Sequence, residues 1–134
     1  MSESRNSPLI YLAGGFRSGW QVAVKAALPQ FEFIDPSLHN IQDPKSYTDW
    51  DLAAIRRCDI LFGNMEASNP GGYSLALEVG FAKALGKFIV LVDQIGNPSV
   101  AKYFEMVRQS SDMVFRDVDS AIAHIRAQSN LPPA

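Results

Sequence analysis

Asn69-Pro-Gly-Gly-Tyr-Ser-Leu-Ala-Leu-Glu-Val-Gly-Phe-Ala-Lys-Ala-Leu-Gly-Lys-Phe-Ile-Val-Leu-Val92 holds a turn, a helix and a strand in one run. Pro70, Gly71 and Gly72 close the element before them, and the apolar stretch from about Tyr73 to Leu85 reads as a helix that Gly86 stops as its C-cap. Lys87 to Val92 is then the clearest strand in the chain, an apolar run with no polar face. Such a strand is buried on both sides, as in a parallel sheet sandwiched between helices.

Outward from this unit the chain alternates. Pro8 to Ala13 is an apolar run closed by Gly14-Gly15 and reads as a first strand; Phe16 to Leu28 carries Val24, Ala27 and Leu28 on one helical stripe and ends at Pro29. Phe31 to Ile34 is a second strand, and Ser37 to Lys45 a polar loop placed to cover a site. A helix over about Ser46 to Arg57 sets Tyr47, Asp51, Ile55 and Cys58 on one side and Asp49, Arg56 and Arg57 away from it. Asp59 to Gly63, a loop from Asn64 to Gly72, a loop from Asp93 to Pro98, a helix of about Ser99 to Gln109, a strand at Met113 to Phe115 and a helix from about Val118 to Gln128 complete the pattern. The expectation is an α/β domain with a parallel sheet covered on both faces. Right-handed crossovers put the C-terminal ends of the strands on one edge, where ligands bind near the switch in strand order. Tyr11 to Arg17, the inward Asp51 and Glu78 should converge there.

Glu78 is the conspicuous residue of the helix. Its neighbours three and four positions away are Ser74, Leu75, Phe81 and Ala82, so no base on the same helix pairs with it. A carboxylate against apolar walls loses hydration and its pKa rises, a condition common at functional sites. The plain structural alternative is an ion pair across the fold, with Arg17, Arg56 or Arg57 as partner. Tyr11 has an equally plain reading as a strand aromatic under a helix, Asp51 as a residue bonded to Arg17 or a loop backbone, and Arg17 as a solvated side chain.

Composition narrows the function classes. The chain has 134 residues and 47% hydrophobic content, enough for one core and short for two, so residues 1–134 should form a single domain with fraying tails at 1–7 and 129–134. A formal net charge of -2 without a run of Lys or Arg argues against a nucleic-acid polymer or a basic membrane patch and for a small-molecule ligand. A single cysteine, Cys58, allows no intrachain disulfide, and His39 and His124 make no set with zinc-ligand spacing, so neither metal nor cofactor is expected. The polar first seven residues and the lack of a bilayer-length apolar run lead to the expectation of a soluble, cytoplasmic protein.

Gly14-Gly15-Phe16-Arg17-Ser18-Gly19-Trp20 lacks the Lys-Ser/Thr pair of a phosphate loop and the spacing of a dinucleotide fingerprint. Gly14-Gly15 and Gly63-Asn64 stand where a phosphoacceptor receiver would carry acidic residues, and no G-x-S-x-G elbow is present. In order and spacing, Ile10-Tyr11-Leu12-Ala13-Gly14, then Asp51 with Ile55 and Cys58-Asp59-Ile60-Leu61, then Leu77-Glu78-Val79-Gly80-Phe81-Ala82 with Gly86-Lys87 resemble the nucleoside 2-deoxyribosyltransferases and, within that superfamily, the deoxynucleoside 5′-monophosphate N-glycosidases. Glu105-Met106-Val107-Arg108 extends the resemblance more weakly.

The resemblance implies a flavodoxin-like three-layer sandwich with a five-stranded parallel sheet. It makes Glu78 the nucleophile on the anomeric carbon of a 2-deoxyribosyl group, Asp51 the acidic residue near the leaving base and Tyr11 the tyrosine that positions the nucleophile. Gly14, Gly15, Phe16, Arg17, Gly72, Ser74 and Met106 become substrate-binding, with Arg17 on a 5′-phosphate in the glycosidase branch. A homodimer or larger homo-oligomer and a deoxynucleoside or deoxynucleotide substrate are implied with it. The transferases carry an acidic residue in the loop where this chain has Asn69 and Gly72, and the glycosidases line their phosphate pocket with serines where it has Gly15 and Gly72. Two alternatives stand beside this reading: a nucleotide-binding or regulatory module of the same fold without the chemistry, and a ribonucleotide phosphoribohydrolase, which Pro70-Gly71-Gly72-Tyr73 also resembles.

Overall fold

The computed structural model describes residues 7–67 and 72–129. Its elements run β1 (Leu9–Gly14), α1 (Trp20–Ala27), β2 (Glu32–Ile34), α2 (Pro44–Arg57), β3 (Ile60–Met65), α3 (Gly72–Ala84), β4 (Phe88–Asp93), α4 (Pro98–Ala101), α5 (Glu105–Ser110), β5 (Met113–Phe115) and α6 (Val118–Ser129). The five strands form one sheet in the order β2-β1-β3-β4-β5, every pair parallel. This is the flavodoxin-like order, whose switch point lies between β1 and β3.

Alternation along the strands divides the core in two. Tyr11, Ala13, Leu61, Ile89 and Leu91 face α2, α3 and α5, through Ile55, Leu75, Val79 and Val107. Ile10, Leu12, Phe62, Val90 and Val92 face α1 and α6, through Trp20, Val24, Ala121 and Ile125. The sheet is thus the middle of three layers. No helix among the described residues is long and apolar enough to cross a membrane.

Local chemistry moves several expected boundaries. α1 starts at Trp20 instead of Phe16, because Gly19 adopts the left-handed conformation (φ 77°) and the Trp20 indole and Gln21 amide both donate to the Gly15 carbonyl, holding the intervening residues as a loop. α2 starts two residues early, with Pro44 in the first turn and the Asp43 side chain accepting from the Ser46 N–H. β3 runs past Gly63 to Met65, where Asn64 and Met65 pair with Val92 and Asp93 and the buried Asn64 amide accepts from Gln94. The helix expected over Ser99 to Gln109 is broken by a 3-10 turn at Lys102–Phe104, and the Arg108 guanidinium takes the Ala101 carbonyl at 2.6 Å. Of the tails expected to fray, only Ser7 and Ser129 are described, and Ser129 is the last residue of α6.

Gly14 is fixed by a close approach at the end of β1. Its φ is +144°, and a Cβ there would lie 2.6 Å from the Asn64 carbonyl oxygen. Gly14→Ala should therefore destabilise the fold by about 2 kcal/mol or more, read as a Tm lower by roughly 5 °C or more. An unchanged Tm would show that β1 and β3 separate without cost.

Candidate active site

A cleft of about 500 Å³ opens at the C-terminal end of β1, a volume within the range of small-molecule pockets. It is walled by residues of β1, the loop after it, the segment after β2, α2 and α3. The switch in strand order puts it there, since the chain leaves β1 toward β2 on one side and returns to β3 on the other.

At its base is a pair joined across the fold. Tyr11, fully buried on β1, donates its hydroxyl hydrogen to Glu78 Oε2 at 2.5 Å. α3 aims Glu78 at the strand because Leu75 and Val79, on the same side of the helix, are buried against the sheet. Gly63 permits the close approach, its Cα region meeting Leu75 where any side chain would intrude. The partner of Glu78 is thus a phenol, while Arg56, one of the expected cations, lies over the Phe81 ring. Burial raises the Glu78 pKa to about 7; the Tyr11 hydrogen bond opposes that rise and the Asp51 charge adds to it. Burial first, and then the Glu78 charge, push the Tyr11 phenol far up, so it remains a donor.

Asp51 reaches the same cleft from α2. Its carboxyl is held above the usual range by burial, opposed by His39, whose Nε2 lies 3.1 Å from Asp51 Oδ1. His39 Nδ1 accepts the Ile41 N–H at 3.4 Å, which leaves Nε2 as the protonated nitrogen that donates to Asp51. The Trp50 ring packs edge-on against the imidazole. His39 belongs to the polar loop after β2, and that loop is anchored at its start. Buried Asp35 receives Lys25 Nζ at 2.6 Å and the Ser37 N–H at 3.0 Å; burial would raise its pKa, but Lys25 and Ser37 outweigh burial and lower it.

Tyr11, Asp51, Glu78, Gly14, Gly15, Phe16 and Ser74 all line the cleft. Gly72 is the first residue of α3. Arg17 and Met106 are not among the described lining residues: Arg17 is exposed in the loop after β1, and Met106 is 83% exposed on α5. Met106 turns outward because its neighbour Val107 is the residue that α5 buries. His39, Asn40, Ile41, Gln42 and Tyr47 were not singled out as site residues from the sequence, although the polar loop and the Asp51 side of α2 both pointed at them. No group of three or more His, Cys, Asp or Glu suited to a metal ion exists among the described residues.

No family model matches the sequence, and no curated protein matches it either. Solved structures do. A 2-deoxyribosyltransferase from Leishmania mexicana superposes with a TM-score of 0.73 at 21% identity, covering 92% of this chain and 99% of that one. A 2-deoxyribosyltransferase from Bacillus psychrosaccharolyticus gives 0.68 at 22% identity, over 94% and 98%. The CMP N-glycosidase BcmB of Clostridium botulinum gives 0.59 at 16%, over 89% and 98%. At these identities the likeness is one of fold.

Proposed function

We propose that the cleft cleaves or transfers the N-glycosidic bond of a 2′-deoxyribonucleoside, with Glu78 as nucleophile on the anomeric carbon. The observation that carries this reading is the Tyr11 hydroxyl bonded to Glu78 Oε2 at 2.5 Å in a cleft that Asp51 also lines. Breaking the bond builds positive charge on the sugar, which a partly desolvated carboxylate stabilises and can trap. Glu78 forms the bond to C1′ as the C1′–N bond breaks, and the protonated Asp51 carboxyl gives its proton to the departing base. Water, or a nitrogen of a second base, then attacks C1′, Asp51 takes the proton back, and Glu78 leaves as carboxylate. Tyr11 orients the nucleophile; Gly14, Gly15, Phe16, Gly72 and Ser74 contact the substrate. The transferases and the glycosidase of the same fold support the reaction class.

Chromatographic detection of free base from a panel of 2′-deoxynucleosides and their 5′-monophosphates, with and without an acceptor base, tests it. Release that Glu78→Ala abolishes is expected; dependence on the acceptor marks a transferase. Silence across the panel would leave only the binding-module reading.

Because the nucleophile acts ionised, activity should rise with pH through about 7, the pKa to which burial raises Glu78. Tyr11→Phe removes the hydrogen bond that favours the carboxylate, so the acid limb should move to higher pH and the rate fall roughly 10- to 100-fold. A profile unmoved by the variant would show that Tyr11 is only packing.

A homo-oligomer belongs to this proposal. Tyr73 and Leu77 stand one turn apart on α3, 83% and 61% exposed, while Tyr103 and Met106 are exposed at the neighbouring α5. Apolar surface of that extent suits a second copy. Leu77→Glu should reduce the particle mass seen by light scattering to that of the monomer; a monomeric wild type would sink the idea.

A further inference from the structure

This inference rests on the glycosidic reading and concerns the form in which the nucleoside enters. The cleft faces its ligand with the carboxylates of Asp51 and Glu78. None of the described lining residues is Lys or Arg, and residues 68–71, Ser-Asn-Pro-Gly, add none. His39 brings no compensating charge, since its ring accepts at Nδ1 and donates at Nε2 to Asp51. Arg17 is exposed outside the lining. The opposing positive field comes from the start of α3 at Gly72, and a helix N-terminus is equivalent to about half a charge. Two carboxylates outweigh it, in a confined space where repulsion is stronger than in bulk water.

A hydroxyl, in contrast, finds partners. Ser74 lies at the first turn of α3. The Gly15 carbonyl is held from the other side by Trp20 Nε1 and Gln21 Nε2, each at 2.9 Å. In a planar trans peptide the next N–H points the opposite way, so the Phe16 N–H is directed away from α1. One such donor and one serine satisfy a hydroxyl; a phosphate dianion calls for several donors or a cation.

We propose that the cleft takes a 2′-deoxynucleoside with a free 5′-hydroxyl and rejects its 5′-monophosphate, the like charges of Asp51 and Glu78 supplying the rejection.

The test compares kcat/KM for base release from each common 2′-deoxynucleoside and its 5′-monophosphate, alongside calorimetric binding of the same compounds to the wild-type protein. The nucleoside should be favoured by roughly 10-fold or more at low salt, with the gap narrowing as salt screens the repulsion. A monophosphate cleaved as well or better would overturn this inference and leave the glycosidic reading standing; loss of that preference in Arg17→Ala would identify the cation responsible. Base release from neither compound would sink the glycosidic reading, and calorimetry would then decide the charge preference alone, with equal or tighter monophosphate binding overturning it.

Discussion

Glu78→Gln is expected to lower kcat for base release by about 1000-fold or more while leaving the protein folded. The amide keeps the volume of the carboxyl and still accepts the Tyr11 hydroxyl hydrogen that Glu78 accepts at 2.5 Å, so the cleft retains its shape. What disappears is the negative charge that attacks C1′. Intact-mass analysis of the quenched reaction should show a deoxyribosyl adduct on the wild type and none on the variant. Stability gives a second readout. The folded-state pKa of Glu78, about 7, lies above its ordinary value of 4.5, so its contribution is fully present below the ordinary value and is lost as pH rises through 7. The Gln variant escapes that loss. Its Tm relative to wild type should therefore increase between pH 5 and pH 8, with an upper bound of about 3 kcal/mol. A variant that releases base at the wild-type rate would remove Glu78 from the chemistry.

The layers were legible because a parallel strand buried on both faces carries an unbroken apolar run, as Phe88 to Asp93 nearly does. Order in the sheet followed from crossover geometry, and with it the convergence of Tyr11, Asp51 and Glu78 on one cleft. Three features were not legible, each decided by a contact distant from the local pattern. The start of α1 depends on Trp20 and Gln21 reaching back to the Gly15 carbonyl, which no helical periodicity encodes. The break before α5 is sustained by Arg108, whose guanidinium also meets the buried Asp93 at the end of β4. His39 gave no signal as a lone histidine in a polar loop; only the docking of that loop against α2 sets it on Asp51. Met106 shows the limit of residue-by-residue transfer from a family, since the helix that carries it buries Val107 and turns Met106 to solvent.

Asp51→Asn should lower kcat by about 100- to 10,000-fold for a 2′-deoxynucleoside whose base must be protonated to leave, the range of a lost general acid. The loss should shrink to roughly 10-fold or less for a 2-deoxyribosyl compound whose leaving group departs as a stable anion, because proton delivery no longer limits that step. Glu78→Gln, by contrast, should be inactive on both substrates, since every route to the intermediate needs the nucleophile. The same comparison places His39. The Asn carbonyl can still accept the His39 Nε2 hydrogen that now lies 3.1 Å from Asp51 Oδ1, so the loop stays docked and the defect is one of proton inventory. His39→Ala leaves Asp51 protonatable but unoriented; it should cost about 10-fold in kcat alone and almost nothing further when combined with Asp51→Asn, as residues acting through one group are non-additive. Multiplying losses in the double variant would mean that His39 contacts the substrate directly. An Asp51→Asn protein that loses equally on both leaving groups would make Asp51 a structural partner of the loop and leave protonation of the base to another residue of the cleft.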